Sequence, residues 1–296
     1  MDPLLYRRSK ILEVFVGYKI GIIGLGLMGG SLAYALRGFK GARIAGADVR
    51  PEVCQKAEQN GAVDEAHTDA SKAMEEADLI IFCVYAHNIP ALIEKNLSAI
   101  KPGAVLSDIC GVKSGLYKSL EGIIPGHADY IGIHPMAGKE KDGFDNADPG
   151  IYKNSGLIIC PLPSTRHDSV ELMRELAEHI GVTRLAVSPA GIHDEIIAYT
   201  SDLMHISAAG LCLNYHPDMS SAYTAGAFRD CTRIADINAE AWAELLMDNR
   251  LNTLEYIDKH IGGLKKIRDC LAEHDDKRLF ELLEIAGRNK REMLER

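Results

Sequence analysis

The chain has 296 residues, of which 47% are hydrophobic and 25% are charged, and its formal net charge at pH 7 is −9. This composition is typical of a globular protein with enough apolar material for two medium-sized cores. The negative charge, without a Lys/Arg-rich block, argues against nucleic acid or an anionic lipid surface as a partner. No stretch approaches the roughly 20 apolar residues that span a bilayer, so we predict no membrane partner.

The cysteines favour a reducing compartment. There are seven of them, an odd number, and they are scattered without a C-x-x-C pair. We therefore predict a cytoplasmic protein without disulfides and without a zinc or other metal site. Arg7, Arg8 and Lys10 precede a short apolar run that carries Glu13. We interpret this segment as a leader into the first strand and not as a signal peptide.

In the first part of the chain, short β-rich runs alternate with helical segments, which predicts a doubly wound, mostly parallel α/β sheet. The run from Leu79 to Val84 lacks polar alternation, as expected of a strand buried on both faces. The predicted strands are Tyr18–Ile23, Arg43–Ala47, Leu79–Val84, Ala104–Ser107, Tyr130–Ile133, Leu157–Cys160 and Arg184–Val187.

Beyond Ser188 the pattern becomes helical. Pro217 is the only proline after Pro189, and β-rich runs disappear. Ser188 and Pro189 fit an N-cap and a first-turn proline, so we predict that a long helix begins at about Pro189. We predict a dinucleotide-binding domain over residues 1–188 and an all-α domain over residues 189–296. Residues recur on one helical face at Ile196, Thr200, Leu203, Ser207 and Leu211.

A glycine-rich turn follows the first predicted strand, with glycines at Gly24, Gly26 and Gly29. The first glycine permits a tight turn, the second lets backbone approach a pyrophosphate, and the third lets the helix pack on the strand. Leu27 and Met28 then lie at the helix N-terminus, where free N–H groups attract phosphate. These residues predict a Rossmann-type dinucleotide site; a glycine turn that binds nothing is the alternative.

The second predicted strand ends at Asp48, about 20 residues past the glycine turn, where a carboxylate accepts hydrogen bonds from the adenosine ribose hydroxyls. A carboxylate repels a 2′-phosphate, so the sequence favours NAD over NADP. Arg50 leaves an alternative open, because its guanidinium could pair with that phosphate. It could equally be a solvated arginine at a helix start.

His134 follows the fifth predicted strand, within a segment that runs from Gly132 to Gly143. In an open α/β sheet the carboxyl ends of the strands line the ligand crevice, so we expect His134 near the nicotinamide. An imidazole with a pKa of about 6.5 can take a proton from a hydroxyl near neutral pH. Because the chain has eleven histidines, a packed or surface histidine is the alternative.

At this point the sequence resembles a known family, the prephenate and arogenate dehydrogenases. His134-Pro-Met-Ala-Gly-Lys-Glu140 resembles the family signature H-P-[IM]-A-G-x-E, and Asp108-Ile-Cys-Gly-Val-Lys113 falls where the family carries D-x-x-S-x-K. Ser201-Asp-Leu-Met-His205 resembles S-H-L-P-H, and the stretch from Phe228 to Ala235, with Trp242 beyond it, resembles F-R-D-x-T-R-I-A…W. The resemblance covers nearly the whole chain in the right order.

The resemblance implies an NAD-dependent oxidative decarboxylation of prephenate to 4-hydroxyphenylpyruvate, or of arogenate to tyrosine, by a homodimer. His134 would accept the hydroxyl proton while hydride passes to the nicotinamide. Arg233 would bind a substrate carboxylate, unless it pairs with Asp230 or Asp236. His205 would add a polar contact, unless it is a satisfied core histidine.

Two further residues gain candidate roles from the resemblance. Lys113 would hold the anionic substrate or the nicotinamide end; a solvated lysine at a helix start is the alternative. Glu140 would lie at the mouth of the active site; a solvated charge run with Lys139 and Lys141 is the alternative.

The chain departs from the family pattern at two positions. Gly111 stands where the family commonly has a serine that orients the histidine, so Cys110, Ser114 or a water would have to replace it. Asp202 stands where the family has the first histidine of S-H-L-P-H. A carboxylate is unfavourable near an anionic substrate unless it faces away or meets the amino group of arogenate.

Two other classes compete with this interpretation. A β-hydroxyacid dehydrogenase or imine reductase shares the glycine loop and the helical second domain. The β-hydroxyacid enzymes need a lysine on the long helix, and residues 189–213 contain none. A non-catalytic nicotinamide-binding regulator would keep the glycines and Asp48 but would need no base at His134.

Overall fold

The computed structural model describes residues 17–139 and 141–294. The predicted leader and Glu140 lie outside the described residues. The chain divides into two compact units. Of the described residues, one unit contains those up to Cys110 together with those in Ser119–Val187, and the other contains Gly111–Lys118 and those from Ser188 onward. The proposed domain division at residue 188 stays a prediction.

The first unit is built on an eight-stranded sheet with the order β3-β2-β1-β4-β5-β6-β7-β8. All neighbouring strands are parallel except β6 and β7. The predicted fold class, a doubly wound α/β sheet followed by a helical region, is confirmed. The strands are β1 (Lys19–Ile23), β2 (Arg43–Ala47), β3 (Glu65–His67), β4 (Leu79–Phe82), β5 (Val105–Asp108), β6 (Asp129–Met136), β7 (Gly156–Pro161) and β8 (Arg184–Val187).

Sequence patterns missed strand β3, which has only three residues, Glu-Ala-His, and is half-buried. A strand this short shows no measurable periodicity, and two of its residues are poor strand formers by composition. It forms because Ala45, Gly46 and Ala47 of β2 offer it a parallel hydrogen-bonding edge.

Both units contain α-helices. In the first unit they are α1 (Leu27–Ala35), α2 (Pro51–Gln59), α3 (Ala70–Met74), α4 (Ile89–Lys95) and α6 (His167–His179). In the second unit they are α5 (Ser114–Ser119), α7 (Ala190–Ile197), α8 (Leu203–Leu213), α9 (Gly226–Thr232), α10 (Ala239–Asp248), α11 (Arg250–Ala272) and α12 (Asp276–Leu294). Short 3-10 turns lie at Phe39–Gly41, Ala86–Asn88, Leu97–Ala99, Phe144–Asn146, Pro149–Tyr152, Ser221–Tyr223 and Arg233–Ala235.

The core of the first unit lies along the middle strands of the sheet. Ile20 and Ile22 of β1 and Leu79 and Ile81 of β4 are fully buried. Each such side chain contributes about 1.5–3 kcal/mol of hydrophobic free energy. Gly21 between them lets α3 approach closely, because a Cβ there would lie 2.6 Å from the carbonyl oxygen of Ala73.

The second unit contains one continuous helical run, Ala190–Leu213, in which a π-helical turn (Ala198–Asp202) joins α7 to α8. The predicted cap was wrong by one residue: Pro189 occupies the N-cap position, and the Ser188 hydroxyl donates to the Pro189 carbonyl. A start near Pro189 is confirmed.

The same run corrects the expectation that no segment is long and apolar enough to span a bilayer. It has 24 residues and contains an 18-residue stretch with a mean hydropathy of 1.3, which makes it long and apolar enough to cross a membrane by length and composition alone. No unbroken apolar stretch marks this run in the sequence, because polar residues, including Asp194 and Asp202, interrupt it. Both carboxylates are buried. Core helices of globular proteins have the same length and composition, so the run does not by itself indicate a membrane.

Candidate active site

The glycine turn joins β1 to α1 as the sequence predicts. Gly24 has a φ of +98°, a left-handed conformation that favours glycine, and its amide donates to the Ala47 carbonyl at 2.7 Å. Gly26 is the N-cap residue of α1, so the helix begins at Leu27 and continues through Met28. The first-turn amides of α1 therefore follow the turn directly, where they can bind an anion.

The space around these glycines fits a dinucleotide. A Cβ on Gly29 would lie 1.9 Å from the Gly24 carbonyl oxygen, so only glycine allows α1 to pack this closely against the turn. A Cβ on Gly26, in contrast, would meet nothing within 4 Å. The turn is therefore closed against the sheet at Gly29 and open at Gly26, as a pyrophosphate cradle requires.

Asp48 lies just beyond β2, and its side chain is nearly buried. Its carboxylate accepts from the Leu25 amide at 3.0 Å and from the amide and guanidinium of Arg50. Burial alone would raise the pKa of Asp48, but the hydrogen bonds from Arg50 and Leu25 and the charge of Arg50 outweigh it, so the pKa is lowered. The carboxylate is ionised and next to the glycine turn. Arg50 is not a simple solvated arginine, because it is paired with Asp48.

His134 lies on β6, at the carboxyl edge of the sheet. The pairing of β6 with β5 ends at Gly132 opposite Asp108, so His134 projects beyond β5, while Ile158 of β7 pairs with it on the other side. The residue is half-buried. Since the nucleotide turn also follows the carboxyl end of a strand, His134 and the turn share one edge of the same sheet.

The segment after His134 packs on the start of α1. The Tyr152 hydroxyl donates to the Met28 carbonyl at 2.8 Å. The Asp148 amide donates to the Ser31 hydroxyl at 2.8 Å, which in turn donates to the Leu27 carbonyl. Burial raises the pKa of Tyr152, so the phenol keeps the proton that it donates. These contacts join the His134 segment to the nucleotide turn, and no sequence motif indicated them.

A second buried contact fixes the end of β5 next to β6. The Tyr130 hydroxyl donates to Asp108 at 2.8 Å, and the Cys110 amide donates to the other oxygen of Asp108 at 2.9 Å. Side chains alternate along a strand, so Tyr130 and His134 lie on the same face of β6. Asp108 therefore holds both the strand that carries His134 and the start of the segment that contains Gly111.

In the second unit, Asp194 of α7 holds the segment 111–118. Its carboxylate accepts from the Lys113 amide at 2.9 Å, from the Ser114 amide at 2.8 Å and from the His193 ring at 2.7 Å. Asp194 thus satisfies amides at the N-terminus of α5. The sequence offered no signal for this role of Asp194, because the amides that it binds lie about 80 residues earlier.

Lys113 is fully buried. The interpretation as a solvated lysine at a helix start is therefore wrong, although the residue does immediately precede α5. A buried ammonium requires anionic or hydrogen-bonding neighbours, so a role in holding an anion stays a prediction.

His205 of α8 has a defined ring orientation. Its Nδ1 lies 2.9 Å from the Ile234 carbonyl oxygen, and its ring packs on Trp242 with centroids 3.7 Å apart. Because a carbonyl only accepts, Nδ1 carries a proton, and any substrate contact falls to Nε2. Arg233 is exposed at the start of the turn Arg233–Ala235, next to Ile234. The His205 ring therefore contacts the backbone of the residue that follows Arg233.

Asp202 points into the helical unit. Its Oδ2 accepts from Asn249 at 2.8 Å and from Thr253 at 3.0 Å, and within the described residues its Oδ1 has no hydrogen-bond partner. Burial raises the pKa of this carboxyl, and nearby Asp194 adds to the effect. The departure from the family pattern therefore introduces a buried acid, fixed on one side by α11.

Cys83 lies next to the glycine turn, where a Cβ on Gly29 would come within 2.9 Å of its own Cβ. Burial and Asp108 raise the pKa of Cys83, which keeps that thiol protonated. Within residues 17–139 and 141–294, no group of three His, Cys, Asp or Glu side chains is arranged to hold a metal ion. All seven cysteines lie in the same range, and none forms a disulfide.

Comparison with known proteins identifies the family. A family model described as the nucleotide-binding domain of prephenate dehydrogenase matches residues 32–185, and one described as its dimerization domain matches residues 189–285. The prephenate dehydrogenase of Lactococcus lactis is 30% identical, over 94% of this chain and 77% of that protein.

Solved structures agree. The crystal structure of A. aeolicus prephenate dehydrogenase in complex with hydroxyphenyl propionate and NAD+ matches with a TM-score of 0.83 and 26% identity, over 93% of this chain and 98% of that one. Synechocystis arogenate dehydrogenase matches with a TM-score of 0.79 and 26% identity, over 93% and 99%. The β-hydroxyacid dehydrogenase and regulator interpretations are thereby set aside. This chain is an NAD-dependent oxidoreductase that belongs to the prephenate dehydrogenase family.

Proposed function

We propose that the chain oxidises and decarboxylates prephenate to 4-hydroxyphenylpyruvate, with NAD as the hydride acceptor, in the biosynthesis of tyrosine. The observation that carries the proposal is the placement of His134. It stands at the carboxyl edge of the sheet on a segment that Tyr152 and Asp148 join to the nucleotide turn. A proton acceptor and the cofactor cradle are therefore parts of one rigid framework.

In this proposal His134 takes the proton of the substrate ring hydroxyl. Bound NAD supplies the acceptor for hydride from the same ring carbon. With the ring carbon oxidised, the ring carboxylate leaves as CO2 because its loss makes the ring aromatic. His134 must be neutral to accept the proton, so activity falls on the acid side of its pKa.

The helical unit supplies the substrate contacts. Arg233 offers a permanently charged, planar fork for a carboxylate. His205 adds a second contact through Nε2, since its Nδ1 is engaged by Ile234. Lys113 contributes a buried cation, and Glu140 stays assigned to the mouth of the site by the family resemblance. A substrate with two carboxylates suits this set of positive groups.

The test measures absorbance at the NADH band with NAD and NADP, offering prephenate and arogenate separately to the wild type and to His134→Asn. We expect NADH formation from prephenate, reduced by about 10²–10⁴-fold in the variant because general-base catalysis is lost. Retained cofactor binding in His134→Asn, checked by NADH fluorescence, is the control. Turnover of neither substrate by the wild type would overturn the proposal.

Arogenate is the second candidate substrate. It differs from prephenate only in carrying an amino group in place of the side-chain keto group, and one structural relative is an arogenate dehydrogenase. Asp202 is the feature that favours it, because a carboxylate attracts an ammonium. We rank prephenate first because Asp202 is buried and its Oδ2 already accepts hydrogen bonds from Asn249 and Thr253. A higher kcat/KM for arogenate would reverse this order.

We also propose that the enzyme is a cytoplasmic homodimer. Exposed apolar side chains on the helical unit, such as Leu213 and Leu251, support a second copy as the covering partner. The absence of disulfides among its cysteines suits a reducing compartment. Light scattering at micromolar concentration should give twice the chain mass of 32.3 kDa, and a monomer mass would contradict the dimer.

A further inference from the structure

Asp108, the last residue of β5, is a fully buried carboxylate at the edge of the sheet that carries His134. Its Oδ2 accepts from the Tyr130 hydroxyl at 2.8 Å and its Oδ1 from the Cys110 amide at 2.9 Å. Both oxygens accept hydrogen bonds, as those of a carboxylate do. An apolar residue would close this edge at a lower cost in free energy, so the carboxylate points to a function.

The strand register brings Asp108 close to His134. Asp108 pairs with Gly132 of β6, and His134 lies two residues further along the same face. With a rise of about 3.3 Å per residue and strands about 4.8 Å apart, the Cα atoms of Asp108 and His134 are about 8 Å apart. Because Gly132 has no side chain, β6 itself places no side chain between them.

The surroundings of Asp108 are apolar. Phe82, opposite Asp108 on β4, and Leu106, two residues earlier on β5, are fully buried. Charges interact more strongly in such a low-dielectric environment than in water. The effect is present at Cys83, where the charge of Asp108 adds to burial in raising the pKa of the thiol. The same charge favours the protonated form of a nearby histidine.

Other charged groups around His134 are uncharged or paired within the sheet and its loops. In the described residues of β4, β5, β7 and the segment 83–88, Asp108 is the only Asp or Glu. The titratable side chains of the segment after β4 are Cys83, Tyr85 and His87. β7 places the uncharged Ile158 opposite His134. On the segment after β6, the Lys139 ammonium donates to Asp148 at 2.8 Å. Asp108 is therefore the negative charge that this part of the sheet offers to His134.

We propose that Asp108 is a positioning residue for the reaction: its charge stabilises the imidazolium that forms when His134 takes the substrate proton, and the Tyr130 hydroxyl holds the carboxylate in place. The proton moves from the substrate hydroxyl oxygen to a ring nitrogen of His134, and Asp108 stays ionised throughout. Gly111 has no side chain that could orient His134, which leaves this role to another group. The inference rests on the proposed function, in which His134 is the proton acceptor.

The experiment measures the pH profiles of kcat and kcat/KM for the wild type and Asp108→Asn, together with an NMR titration of the His134 ring. Removing the charge makes His134 a weaker base, so the acid limb of kcat/KM and the NMR midpoint should both move to lower pH by about one unit. The plateau kcat should fall by about three- to tenfold, because a weaker base is a poorer proton acceptor, and KM for NAD should stay within about twofold.

Asp129→Asn is the matched control. Asp129 is also a buried aspartate, at the start of β6, where its carboxylate accepts from the Ser169 hydroxyl at 2.5 Å and from the Arg166 amide at 2.9 Å. It precedes His134 by five residues, or about 16 Å along the strand. Asp129→Asn should therefore lower stability, measured by urea unfolding, without moving the acid limb or the NMR midpoint.

Tyr130→Phe is the second variant, because it removes the donor that holds Oδ2 of Asp108 and keeps the charge. We expect its kcat to fall by about three- to tenfold with unchanged NADH binding. The inference is overturned if the acid limb and the NMR midpoint of Asp108→Asn match those of Asp129→Asn. If Asp108→Asn does not bind NADH, a wild-type kcat in Tyr130→Phe overturns it. Turnover of neither substrate by the wild type would refute the proposed function instead, and the NMR titration would still test the effect of Asp108 on His134.

Discussion

The two units differ in how far their apolar side chains are buried. In the nucleotide-binding unit, the apolar side chains of β1, β4 and β5 are almost completely buried within the unit itself. In the helical unit, large apolar side chains remain exposed, including Leu213 at 86% and Leu251 at 71%, while polar side chains are buried. The buried polar residues of the helical unit are Lys113, His193, Asp194, Asp202, Asn249 and Thr253.

This difference indicates where each unit derives its stability. The nucleotide-binding unit is held by its own hydrophobic core, so its site depends on close packing of backbone around glycines. The helical unit has hydrogen-bonded polar groups in its interior, and a second copy would cover its apolar exterior in the proposed dimer. Substitutions should therefore act through steric overlap in the first unit, and through association and hydrogen bonding in the second.

The largest effect is expected from Gly29→Ala. Its Cβ would overlap the Gly24 carbonyl oxygen, which is backbone and cannot move aside. We expect a loss of about 3 kcal/mol or more in the free energy of unfolding, together with loss of NADH binding. Urea unfolding and NADH fluorescence measure both.

Gly26→Ala is the control for that prediction. Its Cβ has no neighbour within 4 Å, so stability should change by less than about 1 kcal/mol while cofactor affinity falls. If Gly26→Ala and Gly29→Ala lowered the free energy of unfolding equally, close packing at Gly29 would not be the cause of the loss.

The second effect concerns association. Leu251 is exposed at the start of α11, and in the proposed dimer Leu251→Glu would place a charge against the apolar surface of the second copy. We expect the dimer to dissociate at micromolar concentration, seen by light scattering, while NADH binding by the other unit is retained. Glu255→Ala, one turn further along α11 and exposed, is the matched surface control. A dimer that persists in Leu251→Glu would place the interface elsewhere.

Asp194→Asn should have an intermediate effect. An amide nitrogen would face the Lys113 or Ser114 amide, so one hydrogen bond becomes a contact between two donors. We expect a loss of about 1–3 kcal/mol at pH 7 in urea unfolding of the helical unit. NADH binding should persist, because its determinants lie in the other unit.

The pH dependence of the Asp194 contribution has a definite sign. Burial raises the pKa of Asp194, but the bonds from His193, Ser114 and Lys113 outweigh it, so its pKa is lowered from 3.8. The stabilisation by the carboxylate is therefore present above pH 3.8 and lost as the pH falls through the lower, folded-state value. The difference between wild type and Asp194→Asn should shrink in that acid range. A constant difference would contradict it.

The smallest effect is expected from Asp202→Asn, and its sign is opposite. The raised pKa of Asp202 means that the native state holds its proton more tightly, so ionisation lowers stability as the pH rises above 3.8. An asparagine can offer its carbonyl oxygen to Asn249 and Thr253 without a charge. We expect the variant to be slightly more stable than the wild type at neutral pH and equal to it in acid. If Asp202→Asn were less stable than the wild type at pH 7, the ionised Asp202 carboxylate would be stabilising and this prediction would be wrong.

Local patterns predicted the parts of the protein whose determinants are close in sequence. Motif spacing and the ends of the predicted strands indicate the local structure around three features. These are the glycines of the turn, Asp48 after β2 and His134 near the end of β6. The buried runs of β1 and β4 identify the parallel sheet, because strands covered on both faces must be apolar throughout. Residue roles in substrate binding came from the family resemblance and stay predictions.

The tertiary structure decided which distant groups meet. Asp194 binds amides of the segment 111–118, which places Lys113 in the helical unit, and no periodicity records a hydrogen bond between residues so far apart. Tyr152 likewise donates to the Met28 carbonyl. Arg50 donates to the carboxylate of Asp48, which the sequence predicts as the acceptor for the ribose hydroxyls. By itself, then, the sequence determined the elements and the chemical groups, because hydrophobic period and backbone freedom are local properties. Only folding decided which groups are buried, paired or available, because those properties depend on neighbours that the chain brings together in space.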